Sequence, residues 1–400
     1  MGENIYVVIV ALCALVILSY GFTVLSKKTR IPTVLLLLVA GIGIREILLQ
    51  TGHYQEVPEP IIEFIGVIGL ILILLDAGLD LKFYKNKKQL IKKAAESSLV
   101  AMLLSVAGIG VLIHYWLDAT WLASIVFALP LSIISSAIVA STVGFLSEEK
   151  REFLTYEAAF SDMAGILLFG YLTTGQGVGF GSFVFMTASI VFAFGLSIIF
   201  SLLLVWLVVR SSVHIKSFLV FAILLLLYSF GELWHLPSLL IVILFGLIIN
   251  NWGRVNKYLG DSWAQPSVVR EITGSLKLVT AESAFLIRTF FFTLFGYTID
   301  VRTLADANVL LIGSVVVAVI YIARYIYLRL FAHTHIIPEL FFAPRGLVTI
   351  LLLYQIPQEL EIAGLEAGIM FFVVIATILI MMFGSMFFTP PGATREADKN

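Results

Sequence analysis

Charge is scarce in this chain, and cysteine is nearly absent. Only 13% of the 400 residues are charged, 25 Lys and Arg against 26 Asp and Glu, which leaves a formal net charge of -1. So even a balance carries no signature of nucleic acid or of an acidic partner; only the placement of the charges is informative. The single cysteine, Cys13, lies in an apolar run, which excludes an internal disulfide and a Cys-rich metal site. The histidines at 53, 114, 214, 235, 333 and 335 show no metal-ligand spacing, and His333 and His335 read as loop residues. No Walker motif, Gly-rich dinucleotide loop or nucleophile elbow is present. ATP-driven pumping and soluble-type catalysis therefore have no support, and neither a nucleotide nor another cofactor is expected. The segment from Met1 to Tyr6 lacks the basic stretch of a cleavable signal peptide, so the first apolar run is expected to be retained as a span. Tyr6 stands where a myristoylation signal needs Ser or Thr.

What the chain has in quantity is apolar length. Hydrophobic residues make up 60% of it, and the mean hydropathy is +1.04. This composition specifies an all-α polytopic membrane protein. With about 20 residues needed per crossing, the sequence divides into about 13 transmembrane helices: 4–25, 32–50, 61–80, 97–117, 120–146, 153–173, 180–209, 216–231, 236–251, 278–299, 306–330, 336–356 and 363–388. The run 180–209 is long enough to tilt or to serve as a linking helix. The run 236–251 is short.

Orientation follows from the basic residues of the short loops. Odd-numbered loops hold Lys27, Lys28 and Arg30, then six lysines from Lys82 to Lys93, Lys150 and Arg151, Arg210 and Lys216, and Arg254, Lys257, Arg270 and Lys277. Even-numbered loops hold essentially Arg302 alone. The N-terminus is therefore expected outside and the C-terminus, with Arg395 and Lys399, in the cytoplasm.

Three short signals recur in the same order in the two halves. Ile31-Pro32-Thr33-Val34-Leu35 with Gly41 returns as Leu236-Pro237-Ser238-Leu239-Leu240 with Gly246. The segment from Leu75 to Asp80 answers to that from Leu294 to Asp300, and Leu129-Pro130-Leu131-Ser132 answers to Ala343-Pro344-Arg345-Gly346. Spans 1–6 and 8–13 thus read as two six-helix repeats. The odd connecting span inverts the second copy, the plan of many secondary transporters.

Polar groups at membrane depth are costly and need a reason. Pro130 sits with Ser132, Ser135, Ser136, Ser141 and Thr142, and Pro344 sits with Gly346 and Thr349. One reading is a pair of kinked helices whose hydroxyls bond back to their own carbonyls. The other is a pair of crossed discontinuous helices that expose backbone groups to an ion. Asp162, preceded by Ser161, lies well inside span 6, where a carboxylate withdrawn from water can hold either a proton or a cation; an inert hydrogen-bonded aspartate is the alternative. Glu157 stands five residues earlier, about 140° around the helix. It reads either as a surface carboxylate beside Glu152 or as half of a buried ion pair whose expected cation is Arg345. Arg288 and Arg324 interrupt apolar runs, and snorkelling to an interface is the ordinary explanation for either. Arg288 is the better functional candidate because it lies near the middle of its span. Asp76 is a further acidic candidate near the pathway, while Asp80 is expected to meet the Lys-rich loop.

These residues resemble the monovalent cation:proton antiporter superfamily, the sodium/hydrogen exchanger fold, over nearly the whole chain. The resemblance rests on Arg30-Ile-Pro-Thr-Val with Ala40-Gly-Ile-Gly, Asp76-Ala-Gly-Leu-Asp, Ser135-Ser-Ala-Ile-Val, Glu157-Ala-Ala-Phe-Ser-Asp162, Phe285-Leu-Ile-Arg-Thr-Phe-Phe-Phe and Arg345-Gly-Leu-Val. It implies a homodimer in a lipid bilayer, an integral protein of a cell membrane such as the bacterial inner membrane, with monovalent cations and protons as its substrates. Residues 1–95 and 216–304 would form a dimerisation scaffold. Residues 96–175 and 305–388 would form a moving core, 176–215 a linking helix and 389–400 a short cytoplasmic tail. Asp162 matches the family's ion-binding aspartate and shared proton/cation carrier. Ser161 matches the preceding residue, Asn in electroneutral members and Asp in electrogenic ones. Ser135 and Ser136 fall among the ligands, Glu157 and Arg345 match a structural pair, and Arg288 falls where a modulating basic residue stands. Where many sodium exchangers carry Thr-Asp-Pro, this chain has Ser135-Ser136-Ala137, so a ligand carboxylate is missing; the Ser-Ser pattern also occurs in the potassium-efflux branch. The expected function is electroneutral Na+/H+ antiport, Li+ included, by an elevator-type alternating-access mechanism. K+/H+ antiport and a non-coupled, channel-like or regulatory role are the alternatives.

Overall fold

A computed structural model describes residues 2–81, 87–173, 180–210, 217–233, 239–259, 266–332, 337–362 and 367–387. His214, His235, His333, His335, the Leu236-Pro237-Ser238 part of the repeat motif and the tail 389–400 lie outside them. The described residues form helices and no strands, as lipid requires of a chain whose backbone polar groups must be satisfied within each segment.

The first half runs through α1 (Gly2–Thr29), α2 (Thr33–Gln50), α3 (Glu59–Asp80), α4 (Lys88–Leu117), α5 (Trp121–Ser132), α6 (Ser136–Thr142) and α7 (Glu148–Thr173). The second runs through α8 (Phe180–Arg210), α9 (Ser217–Leu233), α10 (Leu239–Asn250), α11 (Trp252–Leu259), α12 (Pro266–Thr298), α13 (Val301–Leu304), α14 (Ala307–Tyr327), α15 (Leu347–Tyr354) and α16 (Ala367–Phe387). Each expected span has a helical counterpart, and span 5 is divided between α5 and α6. Helices α7 and α12 begin at Glu148 and Pro266, earlier than the apolar runs, because charge in their opening turns, Glu148 to Arg151 in one and Arg270 and Glu271 in the other, counts as loop in hydropathy. Among the described residues, eight helical stretches, with the interrupted 121–145 counted as one, are long and apolar enough to cross a membrane.

The chain divides into two compact units. One comprises residues 1–66, 93–162 and 286–400, the other 67–92 and 163–285. In the first, α14 lies along α16 and α5 against α15. Phe291, Phe292 and Phe295 of α12 are fully buried there, with the Phe295 ring 4.9 Å from that of Phe371. Ser19 and Thr289 share a buried hydrogen bond of 2.6 Å that ties α1 to α12. In the second unit α10 packs chiefly on α8.

Each unit has one crossing where two glycines let helix backbones touch. In the first, a Cβ on Gly41 of α2 would strike the Thr293 carbonyl oxygen of α12, and one on Gly296 would strike that of Leu38. In the second, a Cβ on Gly78 of α3 would lie 2.9 Å from the Ile243 carbonyl oxygen, and one on Gly246 of α10 would lie 3.0 Å from Gly78 Cα. Such small-residue contacts are how helices approach closely in lipid, where apolar surface gives no preference for protein over acyl chain.

Candidate ion site at two interrupted helices

Pro130 has no N–H and crowds the preceding turn, so α5 cannot run on as a regular helix. It stops at Ser132, residues 133–135 are extended, and α6 starts at Ser136. Ser132 repairs part of the damage by donating to the Ala128 carbonyl at 2.8 Å, and Ser141 and Thr142 both donate to the Ile138 carbonyl. The second interruption lies between a 3-10 turn at Glu339–Phe341 and α15, with residues 342–346 outside any helix. The two breaks meet backbone to backbone, the Ser135 N–H donating to the Pro344 carbonyl at 2.9 Å. Gly346 permits this, because a Cβ there would strike Ser135.

Helix α7 supplies acceptors for the first break. The Ser161 hydroxyl accepts from the Ile134 N–H at 3.0 Å, and Asp162 Oδ2 accepts from the Ser136 N–H at 3.1 Å. That N–H belongs to the first turn of α6, where donors lack intrahelical partners and the helix end is electropositive. Asp162 is 1% exposed, and its Oδ1 has no hydrogen-bond partner among the described residues. The Thr349 hydroxyl, in the first turn of α15, is also buried and unpartnered. Asp162, Ser161 and Ser136 are thus brought together, and the backbone of Ser135 joins them to the second break.

Arg345 serves the other end of the same crossing. Its backbone N–H donates to the Thr377 hydroxyl of α16 at 3.1 Å. Its guanidinium donates to the Leu131 carbonyl at 2.5 Å and to the Ala343 carbonyl at 3.0 Å. A cation therefore faces the carbonyl end of α5 while a carboxylate faces the N–H end of α6, the complementary placement for each helix terminus.

The expected pairing of Glu157 with Arg345 is corrected. Glu157 is held by Arg324 of α14, whose Nη1 and Nη2 donate to Oε1 and Oε2 at 3.0 and 2.8 Å. Arg324 Nε donates to the Glu339 carbonyl at 2.9 Å, the Ser97 hydroxyl donates to Glu157 Oε1, and Lys150 closes the network on Glu339 at 2.8 Å. Arg324 is 2% exposed and does not snorkel. The reason is geometric: a buried carboxylate binds best to a guanidinium that meets both its oxygens, and Arg345 has its donors turned onto backbone carbonyls. The sequence signal for Arg324 was its place inside Ile-Ala-Arg-Tyr, which hydropathy alone assigns to an interface.

Asp76 is half-buried on α3 in the second unit, and Arg288 is half-buried on α12; each makes interactions of its own. Asp80 pairs with Lys277 of α12.

The family model for the transmembrane sodium/hydrogen exchanger matches residues 11–391. Among the solved structures that share the fold are two of one antiporter. The structure of the sodium proton antiporter MjNhaP1 from Methanocaldococcus jannaschii at pH 8 aligns with a TM-score of 0.67 and 18% identity, covering 96% of this chain and 99% of that one. A three-dimensional electron microscopy map of the same antiporter gives a TM-score of 0.67 and 18% identity, covering 99% of each chain. No curated protein matches the chain.

Proposed function

The chain belongs to the transmembrane sodium/hydrogen exchanger family, a family of cation/proton transporters rather than enzymes, and from that premise we propose that it exchanges Na+ for H+ at Asp162. The observation that carries this reading is the asymmetry of one carboxylate: Oδ2 is held by the α6 terminus while the buried Oδ1 is unpartnered. A carboxyl group there is satisfied by a proton on Oδ1 or by a small hard cation beside it, and not by both. Hydroxyls of Ser161, Ser135 and Ser136 and carbonyls of the extended segments are the oxygen ligands offered to the cation.

One carboxylate that carries both loads in competition implies one-for-one, electroneutral exchange. We assign the moving core to residues 96–175 and 305–388, the scaffold and dimer face to 1–95 and 216–304, and the link to 176–215, in an elevator-type cycle. Arg324 and Glu157 hold α7, α14 and the second break together within that core, and Arg345 balances the α5 terminus without loading an ion. The loop charges argue for an outside N-terminus in a cell membrane.

The test is purified protein in liposomes under opposed Na+ and H+ gradients. Wild type is expected to couple the two fluxes, and Asp162→Asn to abolish exchange while keeping the wild-type melting profile. Retained pH-driven Na+ flux in the folded variant overturns the assignment, and uncoupled Na+ flux in wild type overturns antiport.

A further inference from the structure

In the second unit the end of α3 is fastened into one corner with the end of α10 and the start of α12, which are distant from it in sequence. Asn250 and Asn251, between α10 and α11, both donate to the Leu81 carbonyl at the end of α3, at 3.2 and 3.0 Å. Thr273 of α12 donates to the Ile249 carbonyl of α10 at 3.5 Å, and Lys277, four residues on, pairs with Asp80. The ends of α3 and α10 and the start of α12 therefore lie at one membrane face, and α11 leaves from that corner.

Helix α11 is two-sided. Trp252 and Asn256, one turn apart and so on one face, are each 3% exposed. Arg254 and Lys257 project outward and are exposed, as is Arg270, one turn before Thr273 on α12. None of these three cations has an ion-pair partner among the described residues; Asp80 is taken by Lys277, and the exposed Glu271 follows Arg270 on α12. Basic loops orient membrane proteins wherever they occur. What sets this cluster apart is that separate segments are held together to present it, beside the apolar ends of spanning helices, where lipid phosphates lie.

We infer that the Arg254, Lys257 and Arg270 surface is a docking site for the phosphate headgroups of anionic bilayer lipids. Two of the cations project from a short amphipathic helix and the third from the start of a spanning helix, so their combined field meets the leaflet surface. Guanidinium groups suit phosphate oxygens through paired N–H donors.

The test uses the full chain in detergent, with melting followed as dioleoylphosphatidylglycerol or dioleoylphosphatidylcholine is added. Phosphatidylglycerol is expected to raise the melting temperature by several degrees more than phosphatidylcholine, and high salt is expected to remove that difference. Replacing Arg254, Lys257 and Arg270 together by Gln is expected to remove most of the difference. The same change of charge at Lys27, Lys28 and Arg151, exposed positions of the other unit, is expected to leave it. Equal loss in both triple variants reduces the effect to overall charge and overturns the site. So does a phosphatidylglycerol shift insensitive to salt, which needs no variant to read. A matching shift from inorganic phosphate alone reassigns the surface to free phosphate and overturns the lipid reading.

Discussion

The Ser135 N–H donates to the Pro344 carbonyl at 2.9 Å, so the two interrupted helices are joined to each other at the point where each lacks its own backbone partners. That bond answers an accounting question posed by both prolines, because an unpaired buried N–H costs about as much as a lost hydrogen bond. It also fixes how near the two breaks come, and with it the shape of any site between the α6 terminus and α7.

The crossing is tight enough to test by adding one carbon. A Cβ on Gly346 would lie 2.8 Å from Ser135 Cβ and 2.9 Å from Ile138 Cδ1. Gly346→Ala is expected to destabilise the protein by about 1–3 kcal/mol, the usual cost of overpacking, and to slow exchange. Adding Ser135→Gly should recover much of the loss, since it removes the Ser135 atoms struck and leaves only Ile138 Cδ1, the far end of a flexible side chain. Melting curves of the two single variants and the double check this, and simple additivity of the two changes would count against the contact.

Arg324 and Glu157 give a second prediction. Removing either partner leaves the other charge buried, at a cost of about 3–5 kcal/mol. Glu157→Ala and Arg324→Ala are each expected to melt well below wild type, and the double variant to lose much less than the two losses combined. Arg324→Lys is expected to fail as well, because an ammonium cannot meet both Glu157 oxygens and the Glu339 carbonyl as the guanidinium does. Arg345→Ala should leave the Glu157 contacts intact and show little coupling to Glu157→Ala in the same thermal assay.

Much of this was legible in the sequence, for physical reasons. Apolar length shows in composition, so each expected run has a helix among the described residues. Pro130 and Pro344 mark helix breaks because proline lacks a donor, and Asp162 stands out because a carboxylate inside an apolar run is costly and needs a reason. The partner of Glu157 was not legible. Choosing between Arg324 and Arg345 depends on which helix faces α7, and hydropathy says nothing of facing. Arg345 was drawn to the wrong role by lying in the interrupted span, whereas its donors are spent on the Leu131 and Ala343 carbonyls. Helix starts at Glu148 and Pro266 were missed because charged turns extend past the apolar run.

The glycine crossings carry a prediction with its own control. Gly41 meets backbone on α12, whereas Gly43, two residues on, has nothing within 4 Å of an added Cβ. Gly41→Ala is expected to push two helices apart and lower the melting temperature, and Gly43→Ala to be neutral. Backbone cannot rotate away as a side chain can, so the penalty cannot be relaxed locally. Gly246→Ala should behave like Gly41→Ala, because its Cβ would lie 3.0 Å from Gly78 Cα and 3.1 Å from the Leu75 carbonyl oxygen. The matched segments thereby contribute matched crossings, Gly41 with Gly296 and Gly246 with Gly78. The two crossings follow the order in which the short sequence signals pair the segments. Equal melting of the Gly41 and Gly43 variants would count against the Gly41 crossing.

If Asp162 carries proton and cation in turn, the two must compete. Lowering the pH fills Oδ1 with a proton, so more Na+ is needed to displace it, and the half-saturating Na+ concentration should rise as pH falls. Where the carboxyl is mostly protonated, one-for-one displacement makes that rise about tenfold per pH unit by mass action. The maximal rate under saturating Na+ should change far less over the same range. Because the loaded carboxyl gains one positive charge from either ligand, clamping the membrane potential with K+ and valinomycin should leave the rate unchanged. Liposome assays at fixed pH on both sides, with Na+ varied, measure both quantities. A half-saturating concentration independent of pH means that proton and cation occupy separate groups. A rate that follows the clamped potential means that a second charge moves with the core, which would place another titrating residue in the cycle.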